Sequence, residues 1–181
     1  VSERSERALK KTRILAMNLT KLTLRTFFAR RRVLRQLRGN LMLIGVGGSG
    51  RSSLTRLCAF ITGKELCTPD MVNNYALCNF KEDLKKIVIS TGVEGKPTVF
   101  MLSDTQVTDE LFLENINAIL NSGEIPNLFD DEEDAQIQMS MRGVATDLGE
   151  LDTPENCKQL FVSRVRAFLH IVLCMSPVGD R

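Results

Sequence analysis

The sequence predicts an α/β fold, a mostly parallel sheet flanked by helices. Three short apolar runs, at 41–46, 98–102 and 170–175, lie between segments with helical periodicity. Strands of a parallel sheet are covered on both faces, so they appear as unbroken apolar runs that alternate with helices. The chain has 181 residues, which is enough for about one domain with a substantial core.

Charge divides the chain into two parts. Residues 1–40 contain 12 Lys and Arg against 2 Asp and Glu, whereas the remaining residues contain 12 basic and 20 acidic side chains. Hydrophobic residues make up 43% and charged residues 25% of the chain, as in ordinary globular proteins. We therefore expect a basic helical lead-in at 1–38, followed by the α/β core at 39–181.

Cysteine usage and hydropathy restrict the class of protein. The five cysteines are scattered and form no CxxC pair, which favours reduced thiols in an intracellular protein over a disulfide framework or a zinc site. No apolar run approaches the length that spans a bilayer. Because the sequence starts at Val1 and stops directly after an apolar run, we expect it to be a piece of a longer protein.

In the first half of the chain, periodicity and turn residues predict alternating helices and strands. Apolar side chains three to four positions apart indicate a helix that Gly39 and Asn40 end. Gly63 ends the second helix, and Thr68-Pro69 closes the strand that follows. In order, the predicted elements are a helix over 5–38, a strand over 41–46, a helix over 52–62, a short strand over 65–67 and a helix over 80–89.

The second half predicts two further helices and two strands. After the strand at 98–102, Thr108 is placed to cap a helix that runs to about Leu120, with acidic residues in its first turn. The acidic run DDEED at 130–134 is interpreted as a solvated loop. Thr153-Pro154-Glu155 has the cap, proline and acid of a helix start, and this helix leads into the strand at 170–175.

Residues 45–54, GVGGSGRSSL, have the spacing GxxxxG[KR][ST] of a phosphate-binding loop between a strand and a helix. Glycines let backbone N–H groups turn around phosphate oxygens, and the helix start adds its positive end. Ser52 would offer its hydroxyl to Mg²⁺, and Arg51 replaces the usual lysine with a longer, planar cation. The alternative is a glycine-rich turn without a ligand. The candidate residues for binding ATP or ADP are Gly45, Val46, Gly47, Gly48, Ser49, Gly50, Arg51, Ser52 and Ser53.

A second candidate element is the segment PTVFMLSDTQ, in which an apolar strand ends in Asp104. P-loop proteins place a Mg²⁺-ordering carboxylate at this point, although a strand-end acid or helix cap is the alternative for Asp104 alone. Many hydrolysing members carry a glutamate next, but this chain has Thr105, which cannot act as a carboxylate base. Gln106 would orient a water molecule only if it turned inward, which we do not expect.

Several long segments resemble one known family. GVGGSGRSSLTRL, FKEDLKK, GKPTVFMLSDTQ, ENINAILNSGEIPNLF and SRVRAFLHIVLCMSPVGDR occur in this order and resemble the fourth AAA+ module of dynein heavy chains, most of all the axonemal, ciliary branch. The resemblance covers roughly 38–181, and residues 1–37 share it only loosely. It implies the large subdomain of an AAA+ P-loop NTPase that is incomplete at its C-terminus, without the last core strand and the lid.

The resemblance also implies a setting for this module. Dynein heavy chains form a six-module ATPase ring that moves on microtubules, and the fourth module binds nucleotide and is regulatory. The implied partners are the neighbouring AAA+ modules, microtubules through the stalk, and intermediate and light chains, with no nucleic acid and no membrane. The implied location is the cytoplasm, cytoskeleton and cilium axoneme.

Three departures from the family pattern predict weak hydrolysis. Ser176 falls at the sensor-1 position, where many AAA+ proteins use asparagine, and serine has a shorter reach and fewer donors. Together with Arg51 and Thr105, this predicts a module that binds ATP or ADP with Mg²⁺ and has little or no turnover. Ser52 and Asp104 are the expected Mg²⁺ ligands, and no residue is assigned as the catalytic base.

Two other functions remain open from the sequence. An autonomous active NTPase conflicts with Thr105 and with the implied absence of a lid. The basic arm, with Arg30-Arg31-Arg32, Arg35 and Arg38, is the second possibility as a nucleic-acid or membrane binder, but it contains no recognition motif. We favour an arm that packs on the acidic body or on a neighbouring module. His170, Cys58 and Cys174 are expected to be core residues.

Overall fold

The structure is a computed structural model that describes residues 21–70, 75–107, 109–149 and 151–177. Four parallel strands form one sheet in the order β1-β4-β3-β2, and helices lie on both faces, which confirms the predicted α/β fold. The elements are α1 Lys21–Arg35, β1 Leu41–Ile44, α2 Arg51–Ile61, β2 Glu65–Cys67, α3 Leu77–Gly92, β3 Thr98–Ser103, α4 Glu110–Asn121, α5 Asp131–Leu148, α6 Pro154–Phe168 and β4 Leu169–Met175. None of the helices in these ranges is long and apolar enough to cross a membrane.

The register of the sheet brings three strand ends to one edge. Ile44 at the end of β1 pairs with Met175 at the end of β4, and Ser103 at the end of β3 pairs with Cys174. Because all four strands are parallel, the segments that follow β1, β3 and β4 emerge side by side. In open α/β sheets, ligands bind at this carboxyl edge.

Alternating side chains of the two inner strands supply two cores, one on each face of the sheet. Val99, Met101 and Val172 point to the face that α1 and α2 cover, where Phe27 and Leu34 of α1 join the same cluster. The opposite face carries a larger cluster, made with α3, α4, α5 and α6. The rings of Phe80 and Phe112 stack there, with centroids 4.2 Å apart. The described part of the lead-in therefore contributes to the core.

Local capping explains where α4 and α6 begin. The side chain of Asp109 accepts a hydrogen bond from the N–H of Leu111, and that of Thr153 accepts one from the N–H of Asn156. The predicted start at Thr153-Pro154 is thus confirmed. The predicted cap Thr108 lies outside the described residues, and so does the part of the predicted first helix before Lys21.

The prediction of a loop at DDEED was wrong. Asp130 is the N-cap of α5, and the carboxylate of Glu133 accepts a hydrogen bond from the N–H of Asp130 at 2.9 Å in a capping box. The acidic residues fill the first turn, where negative charge is favourable for the helix dipole. Lys85 of α3 also contacts Glu133 at 2.6 Å. An acidic run before weakly apolar residues is therefore a helix start in this chain.

The strand at 41–46 was predicted to be covered on both faces, and this was also wrong. β1 ends at Ile44 and lies at the border of the described sheet, with β4 as its one neighbour there. Met42 and Ile44 are 63% and 64% exposed, whereas Leu41 and Leu43 are half-buried. An apolar run in the sequence does not distinguish a central strand from an edge strand.

Candidate nucleotide-binding site

The loop between β1 and α2 has the backbone of a phosphate cradle. Gly48 and Gly50 have φ values of +77° and +74°, in the left-handed region that favours glycine. The N–H of Ser49 donates to the carbonyl of Val46 at 3.2 Å and closes a turn. A Cβ added at Gly47 or Gly48 would meet no atom within 4 Å, so the loop faces open space. A ligand can therefore approach the loop backbone closely.

The start of α2 is a helix N-terminus without a side-chain cap. Gly50 is the N-cap, no side chain caps the first turn, and no acidic residue lies in that turn. The first N–H groups of a helix have no partner within the helix, and they carry its positive partial charge. Ser52 and Ser53 lie half-buried in this turn. The geometry suits the phosphates of a nucleotide.

Arg51 makes a contact that the sequence did not predict. Its guanidinium donates a hydrogen bond to the carbonyl of Met175, the last residue of β4. The N–H of Gly45 donates to the same carbonyl at 3.1 Å. In this structure Arg51 thus joins the loop to the end of the sheet. Lysine carries a compact ammonium in place of the planar, forked guanidinium that makes this contact.

Asp104 lies at the same edge, as predicted, and is held by Ser176. Its Oδ2 accepts a hydrogen bond from the N–H of Ser176 at 2.9 Å, and its Oδ1 accepts one from the N–H of Thr105 at 2.9 Å. The hydroxyl and N–H of Ser176, more than the nearby charge of Arg51, lower the pKa of Asp104. The carboxyl group is therefore ionised at neutral pH, as a Mg²⁺ ligand must be.

Ser52 lies near the end of β4, where it contacts a buried cysteine. Its hydroxyl contacts the thiol of Cys174, whose pKa is raised mainly by burial. Cys174 is directly opposite Ser103, the residue before Asp104. The two candidate Mg²⁺ ligands thus flank the ends of adjacent strands.

The single turn that follows β3, Asp104–Gln106, contains no carboxylate other than Asp104. Asp104–Gln106 form a single 3₁₀ turn, in which Thr105 is exposed and its hydroxyl lies 3.0 Å from that of Ser103. The side-chain oxygen of Gln106 accepts from the N–H of Ser103 at 2.9 Å, and its amide nitrogen donates to the carbonyl of Pro69 at 2.8 Å. Gln106 is thus occupied by backbone groups.

The residues present fit a magnesium nucleotide. No three His, Cys, Asp or Glu side chains within the described ranges are grouped so that they could hold a metal ion on their own. Mg²⁺ at nucleotide sites takes one or two protein ligands and completes its shell with phosphate oxygens and water. Ser52 and Asp104, next to an uncapped helix start, are a donor set of this kind.

The core residues singled out in the sequence are placed as expected. His170 is 1% exposed; its Nδ1 lies 2.8 Å from the carbonyl oxygen of Gly39 and its Nε2 lies 2.6 Å from Nζ of Lys64. Burial lowers the pKa of His170. Cys58 is buried on α2 and Cys174 is buried in β4, both in the cluster that α1 and α2 cover. Within the described residues, His170 is paired with Gly39 and Lys64 and not with either cysteine, so these three residues form no nucleophile–base pair.

Arg30, which the sequence placed only in the basic arm, lies beside the candidate site. It belongs to α1, is 8% exposed, and donates hydrogen bonds to carbonyls at the start of α2. Its spacing of three and four residues from Phe27 and Leu34 places it on the inner face of α1. That spacing could have identified Arg30 as an inward-facing residue, but Arg30-Arg31-Arg32 read together as one exposed basic run.

Comparisons with known proteins agree with this geometry. Residues 15–181 match the family model of the P-loop containing dynein motor region D4. Dynein axonemal heavy chain 6 of Homo sapiens is 48% identical over 150 residues, which are 82% of this chain and 4% of that protein. Dynein axonemal heavy chain 1 of Rattus norvegicus and the dynein-1-beta heavy chain of the flagellar inner arm I1 complex of Chlamydomonas reinhardtii are each 46% identical over 149 residues, 82% of this chain and 3% of each relative. With the phosphate loop, Asp104 and Ser176 at one edge of a parallel sheet, the chain belongs to the dynein motor region D4 family of P-loop AAA+ proteins.

Proposed function

We propose that this chain is the nucleotide-binding part of a regulatory module in a dynein heavy chain. It binds ATP or ADP with Mg²⁺ and hydrolyses ATP slowly or not at all. The loop 45–50 and the start of α2 hold the phosphates, while Ser52 and Asp104 hold the Mg²⁺, which neutralises phosphate charge when bound. The bound nucleotide then stabilises one arrangement of the loop and the sheet edge.

One observation carries the proposal. The phosphate cradle and the ionised Asp104 lie together at the carboxyl edge of the sheet, but the position after Asp104 is Thr105, and Gln106 is bonded to backbone groups. The groups for binding are thus present, while the groups that would activate a water molecule are missing in this segment. The absence of a general base typically lowers a rate by about 10²- to 10⁴-fold.

The setting of the whole protein belongs to the same proposal. The chain spans about 3–4% of the length of the curated relatives it matches, so most of a motor lies outside it. We propose that it acts within the ring of a heavy chain in the axoneme of a cilium or flagellum. Its partners there are the neighbouring AAA+ modules, with microtubules bound through the stalk and with intermediate and light chains in the complex.

The test is calorimetric binding of ATP and ADP to the purified chain, with Mg²⁺ and with EDTA, followed by single-turnover hydrolysis on the same sample. We expect Mg²⁺-dependent binding and a hydrolysis rate close to that of ATP in solution. Ser52→Ala and Asp104→Asn should each weaken binding about tenfold with Mg²⁺ and have little effect in EDTA, since both residues act through the metal.

Ser140→Ala is the matched control, because Ser140 is exposed on α5 and its hydroxyl donates only to its own helix, at the carbonyl of Gln136. It should bind as the unmodified chain does. Absence of nucleotide binding would overturn the proposal. Rapid single-turnover hydrolysis would instead favour the autonomous NTPase and would require another residue to position the attacking water.

A further inference from the structure

Arg30 connects α1 to the phosphate loop from behind. Its Nη1 donates to the carbonyl of Arg51 at 3.1 Å and, more weakly, to that of Gly50 at 3.4 Å. A second tie lies one turn earlier, where the thiol of Cys58 in α2 contacts the carbonyl of Phe27 at 3.7 Å. The two helices also share the apolar cluster on their face of the sheet. The position of α1 therefore determines where this guanidinium lies.

The two carbonyls belong to the peptide groups that present the cradle. In a trans peptide the C=O and the next N–H point in opposite directions. A donor that holds the carbonyls of Gly50 and Arg51 therefore also orients the N–H groups of Arg51 and Ser52, at the open start of α2. Hydrogen bonds in series polarise one another, so a cation at a carbonyl makes the linked N–H a stronger donor.

Arg30 is buried without a carboxylate partner among the described residues, so its hydrogen bonds to the loop carbonyls are important for its stability. The side chain is 8% exposed, and among the described residues no carboxylate forms an ion pair with it. Its neighbours include the buried thiols of Cys58 and Cys174. A buried cation is costly unless polar groups satisfy it, and loop carbonyls do so here. Such a placement is expensive for a residue whose only role is packing.

We propose that Arg30 is a positioning residue of the nucleotide site: it fixes the first two peptide planes of α2 from behind and makes nucleotide affinity depend on the position of α1. This inference rests on the proposed function. Because linkage is reciprocal, a displacement of α1 that withdraws Arg30 weakens nucleotide binding, and bound nucleotide holds α1 in place. The site thus extends to the lead-in helix, which carries no phosphate-binding motif.

The test compares Arg30→Met, Arg30→Lys and the control Arg32→Met in the purified chain. Arg32 is exposed on the same helix, so its variant makes the same change of charge without the contact. Methionine fills similar space, and replacing a buried charge by an apolar side chain is often neutral or stabilising. We expect Arg30→Met to keep its melting temperature and to bind Mg²⁺-nucleotide about tenfold more weakly. Arg30→Lys, which keeps the charge, should recover part of the affinity.

A second readout does not depend on nucleotide. In ¹⁵N NMR spectra of the nucleotide-free chain, the amide signals of Arg51 and Ser52 should shift in Arg30→Met and stay unchanged in Arg32→Met. If the unmodified chain binds no nucleotide, the proposed function fails, and these signals alone decide the role of Arg30. Unchanged signals, or nucleotide affinity of Arg30→Met within twofold of the control, would overturn the inference.

Discussion

At the scale of single residues, the main departure from a standard phosphate loop is a change of shape rather than of charge. Arg51 retains the positive charge of lysine, but its guanidinium is directed to the carbonyl of Met175. The neighbouring N–H of Gly45 shares this acceptor. Arg51 thus stabilises the junction of loop and sheet, and this position does not supply the compact ammonium that usually aligns a terminal phosphate in P-loop proteins.

This arrangement predicts the effect of Arg51→Lys. An ammonium at this position reaches the β- and γ-phosphates, so the variant should tighten binding of ATP more than of ADP, by about three- to tenfold. Calorimetry with both nucleotides measures the ratio of the two Kd values. Arg56→Lys, an exposed change on α2, is the control and should leave the ratio unchanged. An equal loss of affinity for both nucleotides would show that the guanidinium itself completes the loop.

At the scale of elements, the sequence predicted features that follow from local residue patterns and missed features that depend on packing or strand order. The helix start at Thr153 and the buried strand over Thr98–Ser103 follow from local residue types, and both were predicted nearly to their ends. The α5 helix was missed because an acidic run suits both a loop and a first turn. The exposure of β1 was missed because strand order is set by distant parts of the chain.

The same limit applies to the candidate site. The glycines of the loop and Asp104 could be identified from spacing, since the backbone of a phosphate cradle requires those residue types in that order. The tie from Ser176 to Asp104 spans 72 positions, and that from Arg30 to Arg51 spans 21. Only the packed sheet and helices bring these partners together. Sequence spacing therefore identifies the groups expected to contact a ligand more readily than the distant residues that position those groups.

The β4 strand carries a pH dependence that can be measured cleanly. His170 is the single histidine of the chain, and burial lowers its pKa below the ordinary value of about 6.5. Between these two pKa values the unfolded chain binds more protons than the folded one. The stabilisation is therefore complete above about pH 6.5 and is lost as the pH falls through the folded pKa.

We expect the free energy of unfolding to fall between pH 7.5 and 5.5, with a slope of at most about 1.4 kcal/mol per pH unit from this group. Urea unfolding at several pH values measures it. His170→Asn keeps a donor near the carbonyl of Gly39 and removes the titration, so its profile should be flatter in this window. Parallel profiles for the two proteins would contradict the assignment to His170.

At the scale of the whole molecule, the candidate nucleotide site lies where the two cores meet the end of the sheet. The β4 strand contributes Leu169 and Ile171 to the larger core and Val172 and Cys174 to the smaller one. Its last two residues contact Ser52 and Arg51, and Ser176, directly after the strand, contacts Asp104. A shift of β4 would therefore change the packing of both helical layers and the contacts of the candidate site together. This arrangement suits the regulatory role that we propose for the module.

The border of the described sheet at β1 is a surface where self-association can occur. Met42 and Ile44 are 63% and 64% exposed, and Val46 continues this apolar line at 66%. In the described chain the outer side of β1 has no neighbouring strand, so backbone groups and apolar side chains are open together. Natural sheet edges usually prevent pairing with charges or proline, and β1 has neither.

Met42→Lys should therefore reduce self-association, because a charge on an edge strand opposes pairing with a second copy. Sedimentation velocity over a range of concentrations should show a concentration-dependent increase in mean size for the unmodified chain and a smaller one for Met42→Lys. Met139→Lys makes the same chemical change at a site on α5 that is 74% exposed, away from any strand, and should behave as the unmodified chain. If both variants reduced association equally, net charge rather than the β1 edge would be the cause, and if neither did, the edge would not be where the copies meet.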